Sequence, residues 1–151
     1  MLRLPNLNSP AIRLRARRQG AQVEIWDALR GQYLVLTPEE WVRQHLVAYL
    51  VSHCGAQPGR IVAEYAVALN GQPQRADVVV VDDGGRPPLV AECKAPGVPV
   101  NEKVLSQVVR YNSVLGARYV VLTNGRVHGC YECRDGRYVP LAHFPDLTAG
   151  A

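Results

Sequence analysis

The chain of 151 residues predicts a single α/β (α+β) domain: a mixed β-sheet flanked by two helices, with an extra N-terminal β-hairpin and a C-terminal hairpin. Three observations predict it. Two capped segments of helical period interrupt runs rich in β-branched residues. Asn70-Gly71 and Asp135-Gly136 are residue pairs suited to tight hairpin turns. The stretch from Lys94 to Tyr119 reads strand–helix–strand, and a crossover of that length joins parallel strands.

Taken in order, Ala11 to Arg17 alternates apolar and basic residues, as an edge strand with one charged face does. Val23–Asp27 and Gln32–Leu36 form a hairpin turning near Arg30-Gly31. Thr37 caps the first helix, with Pro38 at its first position and Glu40 placed to complete a capping box. Trp41, Val42, His45, Leu46, Tyr49 and Leu50 make its apolar stripe, in which His45 reads as a packing residue, and the helix ends before Gly55. Ile61–Leu69 is a strand closed by Asn70-Gly71; Arg75–Val81 and Leu89–Lys94 are two further strands joined by a turn-rich loop. Pro96 to Pro99 is a stiff loop. Asn101 caps a second helix that Gly116 stops. Tyr119–Leu122 is a short buried strand, and Val127–Cys133 with Arg137–Leu141 forms the last hairpin. The ordered core is expected over about residues 4–145, with a frayed tail from Pro145.

A content of 48% apolar and 20% charged residues excludes a disordered chain as the default. The formal charge of +4 permits a nucleic-acid partner without requiring one. No apolar run approaches the roughly 20 residues of a membrane helix, and the opening Met1–Asn6 lacks the apolar core of a signal peptide, so a cytoplasmic location without membrane attachment is expected. Cys54, Cys93, Cys130 and Cys133 fit free thiols. Cys130-x-x-Cys133 raises zinc or redox chemistry, but no second ligand pair accompanies it, and ordinary strand cysteines are the expected reading.

Chemistry concentrates on the central strands. Side chains alternate along a strand, so Glu92 and Lys94 share a face, and Asp77 on the neighbouring strand can sit beside them. A buried carboxylate and ammonium are costly unless they pair or bind something. Two acids with a lysine can hold a hard divalent cation and prepare a water molecule, with the Cys93 backbone carbonyl as a further oxygen. Glu64, at the same parity as Val62 and Ala66, is a further candidate acid; Glu40 is a more distant one that reads first as a capping-box acid. Gln107 and Tyr111, four residues apart on the second helix, lie one above the other and can order phosphate or water. The rival reading is a structural Glu92–Lys94 ion pair, with Glu64 a solvated acid and Tyr111 a core residue.

Asp77, Glu92-Cys93-Lys94 and Gln107-Val108-Val109-Arg110-Tyr111 together resemble the PD-(D/E)xK nuclease superfamily, the last element being like that of its RecB-type branch. More narrowly, Leu36–Gln44, Val90–Pro96, Arg110-Tyr111-Asn112 and Leu122–Gly125 are similar to the amino-terminal nuclease domain of type I restriction enzyme R subunits, over about Leu4 to Pro145. The resemblance implies a restriction-endonuclease-like sheet, Mg2+ (or Mn2+) held by Asp77, Glu92 and Glu64, Lys94 assisting the attacking water, and cleavage of double-stranded DNA. Ala76 stands where the family name places proline. The sequence holds no Gly-rich, Lys-ending phosphate loop, so the expectation is a free-standing relative of that nuclease domain or one whose motor is elsewhere, and a separate motor or specificity subunit and a homo-oligomer stay open as partners. Arg13 and Arg15 on the basic strand, with Arg75, are the candidate DNA-backbone contacts; the basic strand reads first as a charged, protected sheet edge. An idle nuclease-fold module that docks on DNA or a larger assembly is the alternative function.

Overall fold

The computed structural model describes residues 4–148; the Met1–Arg3 end of the leader reading and the Ala149–Ala151 end of the expected tail lie outside them. The strands β1 (Ala16–Gln19), β2 (Gln22–Asp27) and β3 (Gln32–Val35) form an antiparallel sheet of their own. Its first strand is shorter than the alternation from Ala11 suggests. The Asp27 side chain accepts Leu29 N at 3.1 Å and its carbonyl accepts Gly31 N at 2.8 Å, which ends β2. Ahead of the Ala16↔Ile25 pair, Arg15 keeps one bond, from Trp26 N to its carbonyl at 2.7 Å.

Helix α1 (Pro38–Ser52) begins as expected, Thr37 Oγ1 accepting Glu40 N at 3.1 Å. The return half of the capping box is absent. Thr37 N donates to the Val35 carbonyl at 3.1 Å, and the Glu40 carboxylate turns instead to arginines. Arginine is the stronger partner for a buried acid because the hydrogen bond is charge-assisted.

The main sheet has six strands in the order β4 (Ile61–Leu69), β5 (Gln72–Val80), β6 (Leu89–Cys93), β7 (Tyr119–Thr123), β8 (His128–Arg134) and β9 (Arg137–Leu141). All neighbours are antiparallel except β6 and β7, which α2 (Glu102–Leu115) connects as a parallel pair. Asn101 Oδ1 accepts Lys103 N at 3.1 Å and Val104 N at 3.3 Å, and Gly116 closes the helix at φ 68°. Asn70 and Asp135, each before a glycine, take positive φ in the two hairpin turns.

The helices cover opposite faces of this sheet. Val42, Leu46 and Leu50 of α1 pack with Ile61, Val78, Val80, Leu89, Ala91 and Val121. Val104 and Val108 of α2 pack with Val67, Ala76, Val79, Val90, Val120 and Leu122. His45 is buried within α1 with Nδ1 at 2.8 Å from the Trp41 carbonyl, as a packing histidine. Cys130 is buried in β8, Cys133 is half-buried, and all four cysteines are free thiols.

The tail is more tightly held than its sequence suggests. Leu147 N donates to the Cys54 carbonyl at 2.7 Å, and Leu147 and Phe144 pack on the α1-side core. A Cβ at Gly55 (φ +81°) would approach Thr148 Cα to 3.0 Å, so the tail lies directly against a position that only glycine fits. No helix among the described residues is long and apolar enough to cross a membrane.

Candidate active site

The two-residue alternation of β4 and β5 breaks at one place. Ile61 faces α1, yet Tyr65 and Val67, of the same parity, face α2; likewise Val78 and Val80 face α1, whereas Ala76 faces α2. The breaks fall at Glu64 and Asp77. The register pairs Ala63 with Val78 and Tyr65 with Ala76 but leaves Glu64 and Asp77 between them unpaired. Glu64 takes φ 55°, a conformation that costs a non-glycine residue about 1 kcal/mol or more. On the other side of β5 the ladder stops at Val78↔Ala91, so Asp77 stands across from Glu92 without a backbone bond to it. Three acids, Glu64, Asp77 and Glu92, thus occupy one row across three strands where the sheet relaxes its pairing.

Asp77 uses its side chain where the ladder lapses, Oδ2 accepting Cys93 N at 2.7 Å. Glu92 lies beside it, 6% exposed, with Oε1 3.8 Å from Lys94 Nζ and Oε2 buried without a hydrogen-bond partner. Burial, then the neighbouring Asp77 carboxylate, raises the Glu92 pKa to about 8; Lys94 opposes this, and Glu39 adds to it. Lys94 follows β6 directly and is held in line by β7, its amide donating to the Thr123 carbonyl at 2.8 Å. Its Nζ reaches Gln107 Oε1 at 3.5 Å, and Gln107 Nε2 donates to the Tyr111 hydroxyl at 2.9 Å. Tyr111 is both: its ring is buried in the α2 layer, and its hydroxyl belongs to this chain of contacts.

Glu64 is brought near but turned to cations, Oε1 at 3.4 Å from Arg43 and Oε2 at 3.1 Å from Arg75. Partial burial works the other way, but Arg75 and Arg43 hold its pKa below the usual carboxylate value. The parity reading of Glu64 against Val62 and Ala66 fails because the alternation reverses at this residue. Among the described residues, no group of three or more His, Cys, Asp or Glu side chains is gathered to hold a metal ion. Asp77 and Glu92 converge; Glu64 stands off, and Glu40 is separated from them by Arg43.

Arg43 is the residue that sequence reasoning missed. Its guanidinium, 10% exposed, pairs with Glu40 at 3.2 Å and Glu64 at 3.4 Å and donates to the Asp77 carbonyl at 3.2 Å. It supplies the bond that an unbroken β4–β5 ladder would have made. Burial opposes its charge, but Glu40, Asp77, Cys93 and Glu64 together outweigh burial and keep its pKa above the ordinary value. The available signal was an arginine one position from Val42 inside the apolar stripe of α1, three residues after Glu40. Arg30 extends the network, bonding Asp27 and, at 3.0 Å, Glu40, and so ties the small sheet to α1.

Of the three arginines expected on a DNA backbone, Arg13 is exposed ahead of β1, Arg15 lies 5.6 Å over the Trp26 ring, and Arg75 is engaged by Glu64. A separate cavity of about 410 Å³, lined by Leu7, His45, Tyr49, His128 and Phe144 among others, includes none of the acids or Lys94.

Residues 38–145 match the family model described as "Type I restriction enzyme R protein N terminus". Among solved structures, the fold is similar to "the fragment structure of a putative HsdR subunit of a type I restriction enzyme from Vibrio vulnificus YJ016", with a TM-score of 0.57 and 22% identity over 76% of this chain. The chain spans 25% of that solved chain. No curated protein matches.

Proposed function

Because the chain belongs to the type I restriction enzyme R protein N-terminal family, we propose that it is a metal-dependent DNA endonuclease domain whose reaction centre is Asp77, Glu92 and Lys94. The observation that carries this reading is the unpartnered, buried Glu92 Oε2 beside the Asp77 carboxylate, with Lys94 Nζ 3.8 Å from the other oxygen. Two carboxylates forced together out of water are unfavourable alone, and a hard divalent cation is the partner that oxygen donors of this kind take. Asp77 and Glu92, with the Cys93 carbonyl, would hold Mg2+ or Mn2+, which when bound polarises a phosphoryl oxygen and lowers the pKa of a water molecule.

The chain's own residues supply the remainder. Hydrolysis puts a water oxygen on phosphorus and expels an ester oxygen, so negative charge grows on the phosphoryl group. Lys94, the ammonium of the cluster, offsets that charge or orients the water. Gln107, between Lys94 and Tyr111, fixes the direction of Nζ, and Tyr111 fixes Gln107. Arg43 keeps the Asp77 backbone in place from the other side. Double-stranded DNA is the proposed substrate, with a motor or specificity subunit as the proposed partner and a cytoplasmic setting.

The test is cleavage of plasmid DNA by purified protein with Mg2+ or Mn2+. Nicking or cutting that chelator abolishes and Asp77→Asn removes is the expected result; metal-independent cleavage, or none with either ion, rejects the reading. The commitment of Glu64 to Arg43 and Arg75 favours a second reading, an idle module that binds DNA without cutting it. DNA binding without cleavage at any metal concentration selects it.

A further inference from the structure

The sequence contains only two lysines, Lys94 and Lys103, and both line one groove. This open groove of about 490 Å³ runs between the β4–β5 hairpin, the loop through Val98 and Pro99, and α2 from Lys103 to Tyr111. Its polar lining is Lys94, Lys103, Arg110, Gln74, Asn101 and Gln107, with no acid. Elsewhere among the described residues, Arg17, Arg30, Arg43, Arg60, Arg75, Arg118 and Arg134 each pair with a carboxylate. Lys103 and Arg110 are exposed and have no acidic partner within salt-bridge distance among the described residues.

Their spacing is regular. Lys103, Gln107 and Arg110 are four and three residues apart, which puts them on one helical face over about 10 Å. That face borders the buried Val104 and Tyr111, Gln107 joining the two through its bond to the Tyr111 hydroxyl, while Val108 lies further round in the core. Lys94 Nζ meets the middle of the row at Gln107, 3.5 Å away.

Resting on the proposed nuclease reading, we infer that this groove is the track for the sugar-phosphate backbone of the DNA strand being cut. The scissile phosphate lies at Lys94, and the flanking phosphates lie on Lys103 to one side and Arg110 to the other. Amide side chains and cations without acids suit phosphate and sugar oxygens, and contacts to those oxygens position the strand without choosing its sequence.

The experiment is equilibrium binding of a short fluorescein-labelled duplex across a salt series, with calcium in place of magnesium to hold cleavage off. Each phosphate neutralised contributes about 0.9 to the slope of log affinity against log salt, so the double variant Lys103→Ala/Arg110→Ala should lower that slope by about 1.8. The charge-conserving pair Lys103→Arg/Arg110→Lys should restore it, which a merely structural role would not require, and circular dichroism reports folding of each. If wild-type protein binds and the alanine pair leaves the slope unaltered, the groove is overturned while DNA binding stands. Loss of slope confined to Arg13→Ala/Arg15→Ala overturns it in the same way. If wild-type protein binds no duplex, the groove and the nuclease reading fail together.

Discussion

Replacing Glu92 by glutamine should make the ion-free protein more stable, and by an amount that depends on pH. In the unfolded chain the carboxyl releases its proton near 4.5; in the fold, burial and the adjacent Asp77 carboxylate raise this to about 8. A folded pKa above the unfolded one means that the native state binds the proton more tightly. Stability is therefore complete below about 4.5 and is lost as pH rises toward 8. At about 1.4 kcal/mol per pH unit, the charged form should weaken the fold by less than about 1 kcal/mol at pH 5 and by roughly 4 kcal/mol at pH 8. Glutamine matches the protonated side chain in shape and cannot ionise. In thermal denaturation with chelator, Glu92→Gln should unfold near the wild-type temperature at pH 5 and about 10 °C above it at pH 8. Magnesium should then raise the wild-type Tm at pH 8 and leave the variant nearly unmoved, because bound ion takes the place of the proton. A wild-type minus variant difference that does not change between pH 5 and pH 8 would refute the argument that Glu92 is a buried acid held against a second carboxylate.

Lys94→Ala should abolish DNA cleavage with little change in Tm, since Nζ makes only long contacts at 3.5 and 3.8 Å; cleavage at the wild-type rate would remove Lys94 from the centre. Arg43→Leu should cost about 3–5 kcal/mol in urea denaturation, because it takes one of two arginine partners from buried Glu40 and frees the Asp77 carbonyl. A loss below 1 kcal/mol would show that Arg30 alone suffices for Glu40. Asn112→Ala should cost about 2–3 kcal/mol, since the amide bonds Ala117 N at 2.7 Å, the Ala117 carbonyl at 2.9 Å and the Tyr138 hydroxyl at 3.0 Å; an unchanged unfolding midpoint would contradict that. Burial pushes the Cys54 thiol up to about 11 and Cys130 to about 12, so at pH 8 a thiol reagent should modify half-buried Cys133 well before either; equal rates would mean that the core opens readily.

Local chemistry wrote much of this molecule into its sequence. Thr37 and Asn101 as caps, Gly116 as a stop, and Asn70-Gly71 and Asp135-Gly136 as turns all act within a few residues of themselves, and each element they bound forms where expected. The parallel β6–β7 pair follows from the length of its crossover. Asp77, Glu92 and Lys94 were legible for the same reason, being two strands and one hairpin apart. Glu64 and Arg43 were not. The position of Glu64 depends on a reversal of strand alternation, which arises only when β4 and β5 pack against helices on opposite faces. Arg43 reads as one more charge beside the apolar stripe of α1 until the fold lays that helix over the gap between Glu64 and Asp77. The basic groove is likewise tertiary, since Lys94 and Lys103 share it only because a tight loop brings α2 back beside β6. Caps, turns and periodicity are properties of neighbours in the chain; which distant charges meet, and which are left free, is decided by packing.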